Sequence, residues 1–251
     1  MLPIRIIQEL REPIALTDLS IAADNKILVL APHPDDFDEV AVTLRYFFDR
    51  KHPMLLVVLT GASSGVLDSF VDPPTKVQKE DVRQAEQLNA LKFFGFPASD
   101  VCFLRLPEDQ DGELILDESS RSIIGGVFSD FTPDIVSLPC GKDSNKSHQR
   151  TFKLFHELAT GASKPVLGLC HKDPKTTEIT IQTYFPFDEQ VARWKAEMLR
   201  FHQSQHTRNL QTRGYGIDDR ILQVNRDIAR DLKIDEPYAE GFELVLVNGK
   251  N

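Results

Sequence analysis

His33, Asp35 and Asp36 stand together in PHPDDFDE, residues 32–39, directly after the apolar run Ile27-Leu28-Val29-Leu30-Ala31. Two adjacent carboxylates repel each other, so they call for a helix end, a hydrogen-bond network or a metal ion. His33 and Asp36 are three residues apart, and a turn brings such a pair to one point. Pro34 fixes φ and stiffens that turn. Asp35 must then project differently, which has a chemical use. One carboxylate binds a metal while its neighbour takes a proton from activated water. A catalytic zinc has three protein ligands and one open position. It lowers the pKa of water from about 16 to about 7, within reach of a carboxylate base.

A third ligand is expected from a second loop on the same side. PCGKDSNKSHQRTF, residues 139–152, is the other stretch where His, Asp and Asn cluster beyond an apolar run. It offers His148, with Asp143 and Asn145 before it. Taken alone, Asp35 reads equally well as a helix N-cap, and His148 as a hydrogen-bonded surface histidine. Two such clusters at one sheet edge favour a site. His171-Lys172-Asp173 is a further candidate at that edge. His52, His156, His202 and His206 fall on helices or their flanks and read as non-ligands.

The elements that position these residues alternate. Strands are expected over 26–31, 54–60, 101–106, 134–138, 165–169, 179–184 and 242–247, the last as an edge strand. Helices are expected over 39–50, 76–94, 119–131, 147–159, 188–203 and 218–232, and Gly95 stops the second. The alternation predicts an α/β fold with a mostly parallel sheet and helices on both faces. Loops 61–75 and 107–113 follow strands, so they should lie at the carboxyl edge, where such sheets bind ligands. The chain reads as one domain over 1–251, with residues 1–25 as an N-terminal extension whose first 16 residues suit a short amphipathic helix.

Composition narrows the function. At 251 residues, 41% apolar and 27% charged, the chain is long enough for one full α/β core. A net charge of -9 argues against nucleic acid or an anionic membrane as the main partner. No apolar run reaches the length of a membrane span. Cys102, Cys140 and Cys170 are three, widely spaced and without a CxxC pair, so a cytoplasmic location without disulfides is expected. Trp194 sits at core helical spacing.

At this point the motifs resemble a known family. HPDD at 33–36, Arg83-Gln84-Ala85-Glu86, His148, Lys195 through His202-Gln203-Ser204-Gln205, and Tyr238-Ala239-Glu240-Gly241-Phe242 are similar to the PIG-L/LmbE-like zinc-dependent de-N-acetylases. The resemblance runs from about Lys26 to Val247 and implies a Rossmann-like fold. It implies Zn2+, or another divalent metal, on His33, Asp36 and His148, with Asp35 as general base. Asn145 stands where the family has an oxyanion-stabilising histidine, and an amide can still donate a hydrogen bond there. Ser147 replaces an orienting Asp. Phe37 stands where the family has Glu, and Asp38 or Glu39 can substitute. Arg83 either contacts substrate or pairs with Glu86. Asp111 before Gly112 resembles the family's Asp-Gly, with Asp109 as rival. Asp111, Ser64 and Lys172 are candidate substrate contacts. The implied substrate is a small N-acyl amino sugar or glycoconjugate, and a homo-oligomer is allowed.

Three other readings stand beside this one. A metal-binding carbohydrate-binding protein with altered or lost catalysis is motivated by Phe37, Asn145 and Ser147. A nucleotide-binding protein lacks GxGxxG and GxxxxGK[ST] motifs. A cysteine hydrolase would use Cys140, with His148 as base.

Overall fold

The computed structural model describes Ile7 and residues 10–248. Of the 16 residues expected as an N-terminal amphipathic helix, 1–6, 8 and 9 lie outside the described residues, and Ile14–Ala15 is a strand instead. Eight strands form one sheet: β1 (Ile14–Ala15), β2 (Ile27–Ala31), β3 (Met54–Val58), β4 (Val101–Phe103), β5 (Ile135–Pro139), β6 (Val166–His171), β7 (Thr183–Phe187) and β8 (Tyr238–Val247). The helices are α1 (Asp36–Glu39), α2 (Ala41–Asp49), α3 (Lys76–Phe94), α4 (Glu118–Phe131), α5 (Lys146–Gly161), α6 (Glu189–Leu199), α7 (Gln203–Arg213) and α8 (Ile217–Leu232).

The spatial order is β1-β7-β8-β6-β5-β2-β3-β4. The five strands from β6 to β4 run parallel. β8 is antiparallel to both β6 and β7. The expected edge strand at 242–247 is therefore an interior strand. It begins four residues earlier, at Tyr238, and bridges the parallel core to β7. The edges are the two-residue β1 and the three-residue β4, short enough to discourage further pairing. β1 belongs to the stretch expected as an extension, and Leu16 and Leu19 just after it are buried.

β2 shows how the sequence builds the core. Ile27, Val29 and Ala31 point into one apolar cluster with Phe47 of α2, Leu91 and Phe94 of α3 and Met198 of α6. Leu28 and Leu30 point into another with Ile124 and Phe128 of α4 and Leu154 and Phe155 of α5. A strand buried on both faces reads as a continuous apolar run. Trp194 packs against Phe93 and Phe94, as its spacing predicts.

The topology also fixes where a site belongs. From β2 the chain moves outward through β3 and β4, then returns to add β5 and β6 on the other side of β2. The loops after β2 and β5 therefore diverge, leaving a crevice at the carboxyl ends of two adjacent strands. Ligands bind open α/β sheets at this switch point. Residues 32–36 and 140–148 flank it.

Candidate metal centre

The turn after β2 is held locally. Asp36 Oδ2 accepts from the His33 amide at 2.7 Å, and Thr60 donates its hydroxyl to the Pro32 carbonyl at 2.9 Å. Asp35 occupies the N-cap of α1, but its side chain does not cap that helix. It accepts instead from Arg83 Nη2 at 2.8 Å. Arg83 therefore pairs with Asp35, not with Glu86. The Glu86 carboxylate accepts from the Ser204 amide and hydroxyl.

The loop after β5 brings His148 to the same place. Asn145 caps α5, its Oδ1 accepting from the His148 amide at 3.1 Å. His148 Nε2 lies 3.3 Å from His33 Nδ1 and 3.5 Å from Asp36 Oδ1. His33 Nδ1 lies 3.4 Å from Asp36 Oδ2. Ligands about 2.0–2.2 Å from a tetrahedral ion are about 3.3–3.6 Å apart, so the three side chains are spaced to hold one cation. His33, Asp36 and His148 form a cluster suited to metal coordination, and Asp143, His148 and Asp173 form a second that shares His148.

The second cluster orients the first. His148 Nδ1 faces Asp143 Oδ2 at 3.2 Å and Asp173 Oδ2 at 3.1 Å. A proton on Nδ1 leaves the Nε2 lone pair aimed at His33 and Asp36, as carboxylate–histidine–metal arrangements require. Burial disfavours the imidazolium, but Asp36, Asp143 and Asp173 outweigh it and hold the His148 pKa well above the ordinary range. Burial also opposes ionisation of Asp36, and His33 and His148 outweigh it to hold that carboxyl well below its usual range. Asp35 is likewise lowered, with burial overcome by Arg83. Carboxylates outnumber cations here, which suits a divalent ion.

Glu39 also faces this cavity, and its Oε2 is buried without a hydrogen bond. Burial, then the charges of Asp173 and Asp36, push it well above the usual carboxyl range. Asp38, the other candidate to replace the missing Glu, points away into a fully buried contact with His202 Nε2 at 2.9 Å. Phe37 fills the core between Phe94 and Phe96.

Two cavities meet at His33 and Asp35. One, of about 120 Å3, contains the His33, Asp36 and His148 cluster. The other, of about 200 Å3, is lined by Ser64, Arg83, Asp111 and Asn145 among others. Four expected contacts are thus brought together around Asp35. Asp109 instead builds the loop, accepting from the amides of Asp111 and Glu113. Ser147 ties that loop to α5 by donating its hydroxyl to Glu113 Oε2 at 2.6 Å. Lys172 lines neither cavity, because β6 runs on to His171 and turns the chain; Lys175 lines both. Of the further candidate His171-Lys172-Asp173, it is Asp173 that reaches the centre, through His148. The arginines of α7 and α8 carry no sequence signal that marks them.

The cysteine alternative fails on geometry. Cys140 Sγ faces the Glu178 carbonyl at 3.6 Å, and burial raises its pKa, so the thiolate is disfavoured. His148 is committed to Asp143, Asp173 and His33. His52 and His202 are buried and bonded elsewhere, as expected of non-ligands.

Residues of the later motifs brace the turn, and Gln205 among them also lines both cavities. Lys195 Nζ donates to the Glu39 carbonyl, Asn225 Oδ1 and Glu240 Oε1. Glu240 in turn accepts from the Val42 and Thr43 amides at the start of α2. Gln205 donates to the Gly65 carbonyl.

Comparisons with known proteins bear on the family and the fold. The family described as PIG-L: GlcNAc-PI de-N-acetylase matches residues 28–159, just over half of the chain. A comparison with curated proteins gives no match. Among solved structures, N,N'-diacetylchitobiose deacetylase from Pyrococcus horikoshii is similar with a TM-score of 0.71 and 17% identity, over 88% of this chain and 84% of that one. The 4-carboxy-2-hydroxymuconate hydratase GalB from Pseudomonas putida gives 0.69 and 18%, over 90% and 98%. A deacetylase of teicoplanin biosynthesis gives 0.65 and 14%, over 88% and 98%. At these identities the structures attest the fold alone. The sequence match and the metal-capable cluster together support a hydrolase, and the chain belongs to the PIG-L, or GlcNAc-PI de-N-acetylase, family.

Proposed function

We propose that this protein is a zinc-dependent de-N-acylase that removes an acetyl or other acyl group from an amino sugar or its conjugate. The observation that carries the reading is the convergence of His33, Asp36 and His148 at 3.3–3.5 Å, with Asp35 alongside. When bound there, a divalent ion supplies Lewis acidity and a water of lowered pKa.

The protein's own groups then divide the work. Arg83 holds Asp35 Oδ1, while Oδ2 receives no hydrogen bond among the described residues and is the atom to take the water proton. The same oxygen can return that proton to the leaving amine. Asn145 lines the cavity beside Asp35. Its Oδ1 is committed to the α5 cap, which leaves the amide N–H groups to donate to a developing oxyanion. Asp143 and Asp173 keep the His148 ring in register. A free oxygen on a clamped, ionised Asp35 supports catalysis over simple binding.

The proposed substrate is a small water-soluble conjugate. The proposed location is the cytoplasm, in keeping with three unpaired cysteines. Among the described residues no helix is long and apolar enough to cross a membrane. The test is acetate release by zinc-loaded protein from a panel of N-acetylated amino sugars. Release from at least one, abolished in Asp35→Asn, is expected. No release from any member would overturn the assignment.

A further inference from the structure

The cavity over the metal cluster opens outward along α7 and α8, and there its walls are basic. Lys175, Arg208, Arg213 and Arg220 line it together with His33, Asp36 and His148. Among the described residues, the other arginine and lysine ion pairs involve none of these four. Arg213 has one side-chain hydrogen bond, to the neutral Asn209 Oδ1 at 3.1 Å. Burial first, and then the charges of Arg83 and Arg213, press the Arg208 pKa down. In a chain of net charge -9, four cations without an ion-pair partner among the described residues thus line one cavity, whose carboxylates are Asp35, Asp36, Glu39 and Asp173.

The basic wall continues past the metal centre. Arg213 and Arg220 also line an adjoining cleft of about 600 Å3 with Tyr215, Gln223 and Arg226, and with Asp219 as its carboxylate. Tyr215 is 45% exposed there and offers an aromatic face. The site therefore has polarity: carboxylates at the floor, guanidinium groups at the rim. Such a field steers and orients a charged ligand, and the planar guanidinium fork matches carboxylate and phosphate.

We propose that the substrate carries an anionic group, a carboxylate or a phosphate, held by Lys175, Arg208, Arg213 and Arg220 while its acyl amide lies at the metal centre. What happens to the substrate rests on the hydrolase reading above; the anion contact does not. An amide alone would need no such rim. With the anion at the rim and the amide at the floor, bound substrate lies in one orientation.

The test separates the two claims. Glucose 6-phosphate, glucuronate and glucose have no amide, so their binding to zinc-loaded protein reads the rim alone by calorimetric titration. At least one of the two anions should bind tenfold or more tightly than glucose, and which one does identifies the group. That advantage should fall at least tenfold in Arg213→Gln/Arg220→Gln, weaken as salt rises, and return in part in Arg213→Lys/Arg220→Lys. In turnover, the kcat/KM ratio of N-acetylglucosamine 6-phosphate to N-acetylglucosamine should fall in the same double variant, mainly through KM. Glucose binding as tightly as both anions would overturn the proposal. So would an anion advantage that survives the double variant, since Arg213 and Arg220 would then not hold the anion. Arginine-dependent anion binding without any amide hydrolysis would refute the hydrolase and leave the anion site standing.

Discussion

Removing the Glu240 carboxylate should damage this protein far from any exposed chemistry. Glu240 and Lys195 meet at 2.7 Å, and neither side chain has any exposure. The three Lys195 ammonium donors go to Glu240, Asn225 and the Glu39 carbonyl. Glu240 also satisfies the Val42 and Thr43 amides, two of the orphan donors at the start of α2. Glu240→Ala therefore leaves a buried ammonium without its counter-charge, worth about 3–5 kcal/mol, and removes a cap worth about 1 kcal/mol. A loss of roughly 4–6 kcal/mol follows, or about 8–24 °C in Tm at about 2–4 °C per kcal/mol for a chain of this size. Urea unfolding read by linear extrapolation measures it. Lys195→Met/Glu240→Ala should cost clearly less than the sum of its single variants, because it leaves no unpaired charge. Glu240→Ala within about 1 kcal/mol of wild type, or strict additivity in the cycle, would refute the reasoning.

Three further outcomes are expected. In Arg83→Met, Asp35 loses its clamp, and kcat should fall about a hundredfold while bound metal, measured by elemental analysis, stays at the wild-type level. His202 is buried, which lowers its pKa, but Asp38 outweighs burial and raises it. Its stabilisation is thus complete below the unfolded value of about 6.5 and is lost as pH rises through the higher folded value. The unfolding free energy should fall over that alkaline window, and the fall should be smaller in His202→Gln, the remainder belonging to His148, whose pKa is also raised. Gly112 has φ of +80° and its missing Cβ would run into Ser64, so Gly112→Ala should cost about 1–3 kcal/mol and raise KM by moving Ser64. Unchanged kinetics in that variant would remove Ser64 from the substrate contacts.

Much of the centre was legible because it is local. The apolar run of β2 is buried on both faces, and PHPDDFDE follows it within one turn. His148 opens a helix just past β5, where Asn145 supplies a visible cap. The partners of these residues were not legible. Arg83 is 48 residues from Asp35 and three from Glu86, so sequence spacing offers Glu86 as a partner and gives no sign of Asp35. The helix α7 was missed altogether. QSQHTRNLQTR buries Ser204, Gln205 and Asn209, so it lacks the apolar period that marks a helix. The arginines it carries were missed with it. The single helix expected over 188–203 instead breaks after Leu199, and that break turns α7 towards the cavity. The alternation of β8 fits a half-exposed strand or an interior one, and only pairing with both β6 and β7 decides.

Metal content tests the central assignment most directly. Wild type, His148→Ala and Asp35→Asn would be loaded with zinc, desalted and analysed for metal per chain. About one ion in wild type and in Asp35→Asn, with little or none in His148→Ala, is the expected result. A full complement in His148→Ala, or no ion in wild type, would contradict the metal centre.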